Sequence, residues 1–117
     1  MTRAAAEAKL WYAQRVSAMV LALCVVVHLG VIVYAARGGL GAAELLGRTR
    51  GNLAFALFYV AFVIACAVHV PIGLKAIARE WLGWRDRSAN AGAVIFSVVI
   101  LMLGLRAVYA VYGAPVA

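Results

Sequence analysis

Charged residues are absent from three long stretches of the chain. Residues 16–36, 51–74 and 88–105 hold 21, 24 and 18 positions without a Lys, Arg, Asp or Glu. Each stretch is a continuous apolar run, not an alternation of apolar and polar positions, and this argues against a transmembrane barrel. About 20 residues of helix cross a bilayer core at ~1.5 Å rise per residue. The third run resumes beyond Arg106 as AVYAVYGAPVA, and an arginine at that point can snorkel to the headgroups. The pattern predicts an all-α integral membrane three-helix bundle, a single transmembrane domain over residues 1–117. Its helices are expected at about 15–36, 52–75 and 89–112. The first run is longer than the ~7–15 residues of a signal-peptide core, so a retained helix is expected.

The segments between the runs have their own signals. Residues 2–14, TRAAAEAKLWYAQ, form an amphipathic lead-in with Trp11 and Tyr12 at the membrane interface. The outer loop RGGLGAAELLGRTRG has room for a short helix in AAELLG. The second helix continues to about Trp81 and leaves the membrane near Lys75. In the turn GWRDRSAN, Ser88 or Asn90 is the expected cap of the third helix. Ser97 and Gly104, one heptad apart, mark a face suited to close helix packing. Pro71 takes away the backbone donor that Ala67 O would otherwise receive.

Composition agrees with the pattern. Hydrophobic residues make up 68% of the chain and charged residues 13%, more apolar surface than a soluble domain of this size can hide. The net charge is +7, but the basic residues flank the apolar runs. That is the positive-inside arrangement and not a nucleic-acid surface. Arg3, Lys9, Arg15, Lys75, Arg79, Arg85 and Arg87 share one side, and Arg37, Arg48 and Arg50 lie opposite. The N-terminus and the 75–88 loop are therefore expected in the cytoplasm and the C-terminus outside. Richness in Ala, Val and Arg points to a bacterial cytoplasmic membrane. Cys24 and Cys66 fall within spans without a CxxC spacing, as buried inert thiols do.

The candidate chemistry lies with two histidines. His28 and His69 are the only histidines, both within spans, and no carboxylate shares the apolar cores. Ionisable groups in a span are functional candidates, and the missing carboxylate disfavours a cation or proton transporter. Neutral imidazoles in an apolar setting suit axial ligation of haem iron. His28 lies ~20 Å of helix beyond Arg15, and His69 lies ~15 Å before Arg79. Gln14, Ser17, Cys24 and His28 form one stripe on the first helix. His69, Gly73, Ala76 and Glu80 share a face of the second, where Gly73 leaves room for a flat macrocycle or a close helix.

Two local patterns carry a resemblance. The segment QRVSAMVL (14–21) resembles the entry to helix one in the small membrane-anchor subunits of succinate:quinone oxidoreductases, succinate dehydrogenase and fumarate reductase. The segment HVPIGLKAIAREW (69–81) is similar to that family's His-x-x-x-Gly segment, which closes with an acidic residue and an aromatic. The family pattern has a serine and a histidine where this chain has Trp11 and Gln14, and often a tyrosine where it has Trp81. The resemblance implies a haem b-binding anchor for a flavoprotein subunit and an iron–sulfur subunit, with His69 as an axial ligand and Gly73 beside the haem. It implies Arg15 near the haem propionates and the quinone, with Ser17, Glu80 and Trp81 as quinone neighbours. The quinone would be ubiquinone or menaquinone. Three arrangements are open for His28 and His69: one haem held by the second-helix histidine and its counterpart in a second anchor subunit or a second copy, two haems held by histidines of helices one and two in a larger assembly, or one haem held by His28 and His69 of a single chain. The competing reading is a non-redox scaffold whose histidines only bind other helices.

Overall fold

The computed structural model describes residues 2–113. Four helices account for nearly all of them, and no strand occurs among the described residues. α1 spans Arg3–Arg37, α2 spans Ala42–Thr49, α3 spans Leu53–Glu80 and α4 spans Asp86–Tyr112. α1, α3 and α4 are long and apolar enough to cross a membrane, and α2 is the short helix expected in the outer loop. The lead-in is no separate segment: α1 runs unbroken for 35 residues from the Thr2 cap, whose side chain accepts from Ala5 N–H at 3.2 Å. α3 begins at Asn52, whose side chain accepts from Phe55 N–H at 3.1 Å.

The expected cap of the last helix is corrected. α4 starts at Asp86, so Ser88 and Asn90 lie within its first turns, and Arg85 precedes it without a side-chain cap. The local reason is the turn. Gly83 has φ of +66°, a left-handed conformation cheap only for glycine. It lets Trp84 N–H reach back to Ala78 O at 3.0 Å. Asp86 then pairs with Arg79 of α3 and adds negative charge at the positive end of the α4 dipole.

α3 is the central helix, packed against α1 on one side and α4 on the other. The buried residues among those described are all small: Ser17, Cys24, Thr49, Ala56, Ala65, Pro71, Ala78 and Ala89. Leu, Val, Ile and Met side chains point outward in numbers that water would not tolerate. This is the expected inversion in lipid, where small residues let backbones approach and large ones meet acyl chains.

Ser97 and Gly104 do form the packing face of α4. A Cβ on Gly104 would stand 2.5 Å from Val63 Cγ1, so only glycine fits there without movement. Ser97 Oγ donates to Ala67 O at 2.7 Å. That carbonyl is the one Pro71 leaves without a backbone donor, so the neighbouring helix satisfies it. At the far end, Thr49 Oγ1 donates to Val111 O at 2.7 Å and Gly51 N–H donates to Tyr112 O at 3.0 Å. The α2 segment thus caps the carbonyl end of α4.

Candidate functional site

α1 and α3 run antiparallel, and three contacts fix their register. Ser17 meets His69, Gln14 meets Gly73, and His28 meets Tyr59. Each step along α1 is matched by an almost equal step back along α3. The polar stripe of α1 therefore faces the His69–Gly73 face of α3, and the two stripes read from the sequence form one interface.

Ser17 is 6% exposed and spends its hydroxyl twice. It donates to Gln14 O at 3.0 Å, and His69 Nδ1 stands 3.4 Å from the same oxygen. Since the hydroxyl proton goes to the carbonyl, Ser17 Oγ is left as the acceptor. The tautomer that matches this acceptor carries its proton on Nδ1, and in that tautomer Nε2 holds the lone pair with which a neutral imidazole ligates a metal. One turn away, a Cβ on Gly73 would stand 3.4 Å from Gln14 Nε2, an ordinary van der Waals contact, so the Gln14 side chain lies over Gly73. Gln14 Oε1 is buried with no hydrogen-bond partner, an unsatisfied acceptor of the kind that a bound group or water usually completes.

His28 has a different environment. Its Nδ1 lies 2.7 Å from the Tyr59 hydroxyl. Its ring stands edge-on to Tyr59 and Phe62, with centroids at 5.4 and 5.7 Å. Phe55 and Phe58 extend this aromatic cluster, 4.5 and 5.0 Å from Tyr59. Sequence reasoning missed Tyr59. The aromatic positions 55, 58, 59 and 62 follow helical spacing and mark the face, but only the α1–α3 register gives His28 its partner.

The two histidines are not brought together. Ten residues of α3 separate Tyr59 from His69, so the levels of His28 and His69 differ by ~15 Å at helical rise. Metal–imidazole bonds are about 2 Å long, so the two rings of one chain cannot face a single iron in this register.

Arg15 is exposed, its guanidinium 5.5 Å from the Trp11 ring centroid. Leu10, Trp11, Gln14, Arg15, Ala18 and Ile72 line an open groove of 360 Å³. Glu80 and Trp81 lie elsewhere. They end α3 in exposed positions, Trp81 at 82%, and Ile72, level with Arg15, is eight residues back along the helix, or ~12 Å. The groove therefore holds Arg15 without Glu80 or Trp81.

Cys24 and Cys66 are both free thiols. Among the described residues, no group of three or more His, Cys, Asp or Glu could hold a metal ion by itself. Any metal at His69 therefore needs donors from a macrocycle or another chain. A family model described as succinate dehydrogenase/fumarate reductase transmembrane subunit matches residues 1–105. No curated protein and no solved structure matches the chain.

Proposed function

The chain belongs to the succinate dehydrogenase/fumarate reductase transmembrane subunit family, and from that premise we propose that it is a haem b-binding anchor in which His69 is an axial ligand. It tethers a flavoprotein subunit and an iron–sulfur subunit to the membrane and helps pass electrons to or from ubiquinone or menaquinone. The observation that supports this reading is the 3.4 Å contact between Ser17 Oγ and His69 Nδ1: with Nδ1–H donating to the hydroxyl oxygen, Nε2 carries the lone pair that would bind iron. When bound, the haem supplies a one-electron store beside the quinone.

The residues divide the work. His69 supplies one nitrogen. Since His28 stands a further ~15 Å along the interface, a second nitrogen donor to the same haem would come from another chain, either a second anchor subunit or a second copy. For His28 a structural role is favoured by its hydrogen bond to Tyr59 and its place in the aromatic cluster. Arg15 offers a delocalised cation for haem propionates or a quinone carbonyl at the groove it lines. Gln14 Oε1 is an unused acceptor next to it in sequence. Glu80 and Trp81, exposed at the end of α3, are available to the soluble subunits and to quinone entering from the headgroup region.

The excess of Lys and Arg beside the N-terminus and the α3–α4 turn supports a cytoplasmic location for that end. That places the docking surface for the soluble subunits on the cytoplasmic face of a bacterial inner membrane. The test is to purify the chain with its partners and record a dithionite-reduced minus oxidised spectrum. A b-type band is expected. Its absence from a folded, haem-replete preparation refutes the redox reading and leaves the scaffold.

A further inference from the structure

The family resemblance implies that Ser17 is a quinone neighbour, yet its hydroxyl is buried and engaged. Its proton goes to Gln14 O at 3.0 Å, and its oxygen faces His69 Nδ1 at 3.4 Å. A quinone carbonyl at this position would need a donor, and the Ser17 donor is already in use. The three groups form a short relay of polarity, from imidazole N–H through hydroxyl to backbone carbonyl. Donation to the carbonyl makes the hydroxyl oxygen a stronger acceptor, because successive hydrogen bonds polarise one another.

We propose that Ser17 is a positioning residue for His69: it holds the imidazole as the Nδ1–H tautomer, fixes its ring plane, and raises its donor strength toward iron. This rests on the reading of His69 as a haem ligand. The physical reason is general. A ligating imidazole that donates its other N–H to an acceptor is oriented by it and made more basic. A more basic ligand stabilises the ferric over the ferrous state, so the Ser17 contact lowers the haem midpoint potential. The relay also ties the ligand on α3 to the α1 turn that carries Arg15. The ligand orientation and the groove beside it are therefore set by the same segment.

The test uses the assembled complex with Ser17→Ala, Ser17→Thr and wild-type chains. Potentiometric titration of the b-type band and the low-spin EPR signal are the readouts, with the KM for quinone measured alongside. Ser17→Ala is expected to raise the midpoint. At the wild-type midpoint the reduced-to-oxidised ratio should rise by up to about tenfold, which is 59 mV for one electron. Its EPR g-values should move with the ring plane, while the KM for quinone stays unchanged. Ser17→Thr, which keeps the hydroxyl, should match wild type. An unchanged potential and EPR signal in haem-replete Ser17→Ala overturns the proposal, and so does an equal shift in the Ala and Thr variants. If Ser17→Ala loses its haem, Ser17→Thr decides: haem at wild-type potential supports the role, and haem loss overturns it. Failure of the underlying reading looks different. In that case His69→Ala keeps its haem spectrum whatever happens at Ser17.

Discussion

Replacing Ser97 by alanine probes how the fold tolerates a proline in its central helix. Pro71 has no N–H, so Ala67 O lacks its helical donor, and Ser97 Oγ supplies one from α4 at 2.7 Å. Ser97→Ala leaves that carbonyl bare at a helix contact within the membrane. Interhelical hydrogen bonds in membrane proteins contribute roughly 0.6–2 kcal/mol, while an unsatisfied buried acceptor costs about 1–3 kcal/mol. A loss of about 1–2 kcal/mol is expected, since the methylene is kept and no large cavity opens. Pro71→Ala restores a backbone donor to the same carbonyl. In that background Ser97→Ala should cost under about 0.5 kcal/mol, a coupling of order 1 kcal/mol between contacting sites. The assay is reversible denaturation in mixed micelles, followed by far-UV circular dichroism on all four chains of the cycle. Equal costs in both backgrounds would mean that Ser97 contributes something other than a donor to Ala67 O.

The other predictions concern different parts of the same interfaces. Gly104→Ala puts a Cβ 2.5 Å from Val63 Cγ1 and should destabilise by about 1–3 kcal/mol through overpacking. Val63→Ala should recover part of that loss in a melting experiment. Thr49→Val removes the donor to Val111 O and should cost about 0.5–1.5 kcal/mol, with faster amide exchange confined to the end of α4. Tyr59→Phe removes the hydroxyl bonded to His28. It should lower stability by about 1 kcal/mol and leave the haem-to-complex ratio in a pyridine haemochrome assay unchanged.

The spans were legible because a bilayer imposes one length and one composition on every helix that crosses it. The short α2 helix and the Ser97–Gly104 face were legible for similar local reasons. The stripes Gln14–Ser17–Cys24–His28 and His69–Gly73 were also visible from spacing alone. Their register was not visible, because a helix periodicity says which residues share a face and nothing about how far one helix slides along another. For that reason the link between Ser17 and His69 and the pairing of His28 with Tyr59 were both missed. The same slide leaves Glu80 and Trp81 about two turns from Arg15, although the resemblance groups all three with a quinone. The α4 cap was misplaced because a glycine turn and the Arg79–Asp86 pair outweighed side-chain capping preference.

His69 is proposed to hold haem iron in this anchor. The most direct test is the reduced-minus-oxidised spectrum of the assembled complex carrying His69→Ala, with His28→Ala as the parallel chain. The b-type band should disappear or lose its bis-imidazole form in His69→Ala and persist in His28→Ala. An intact bis-imidazole spectrum in His69→Ala would contradict the proposal.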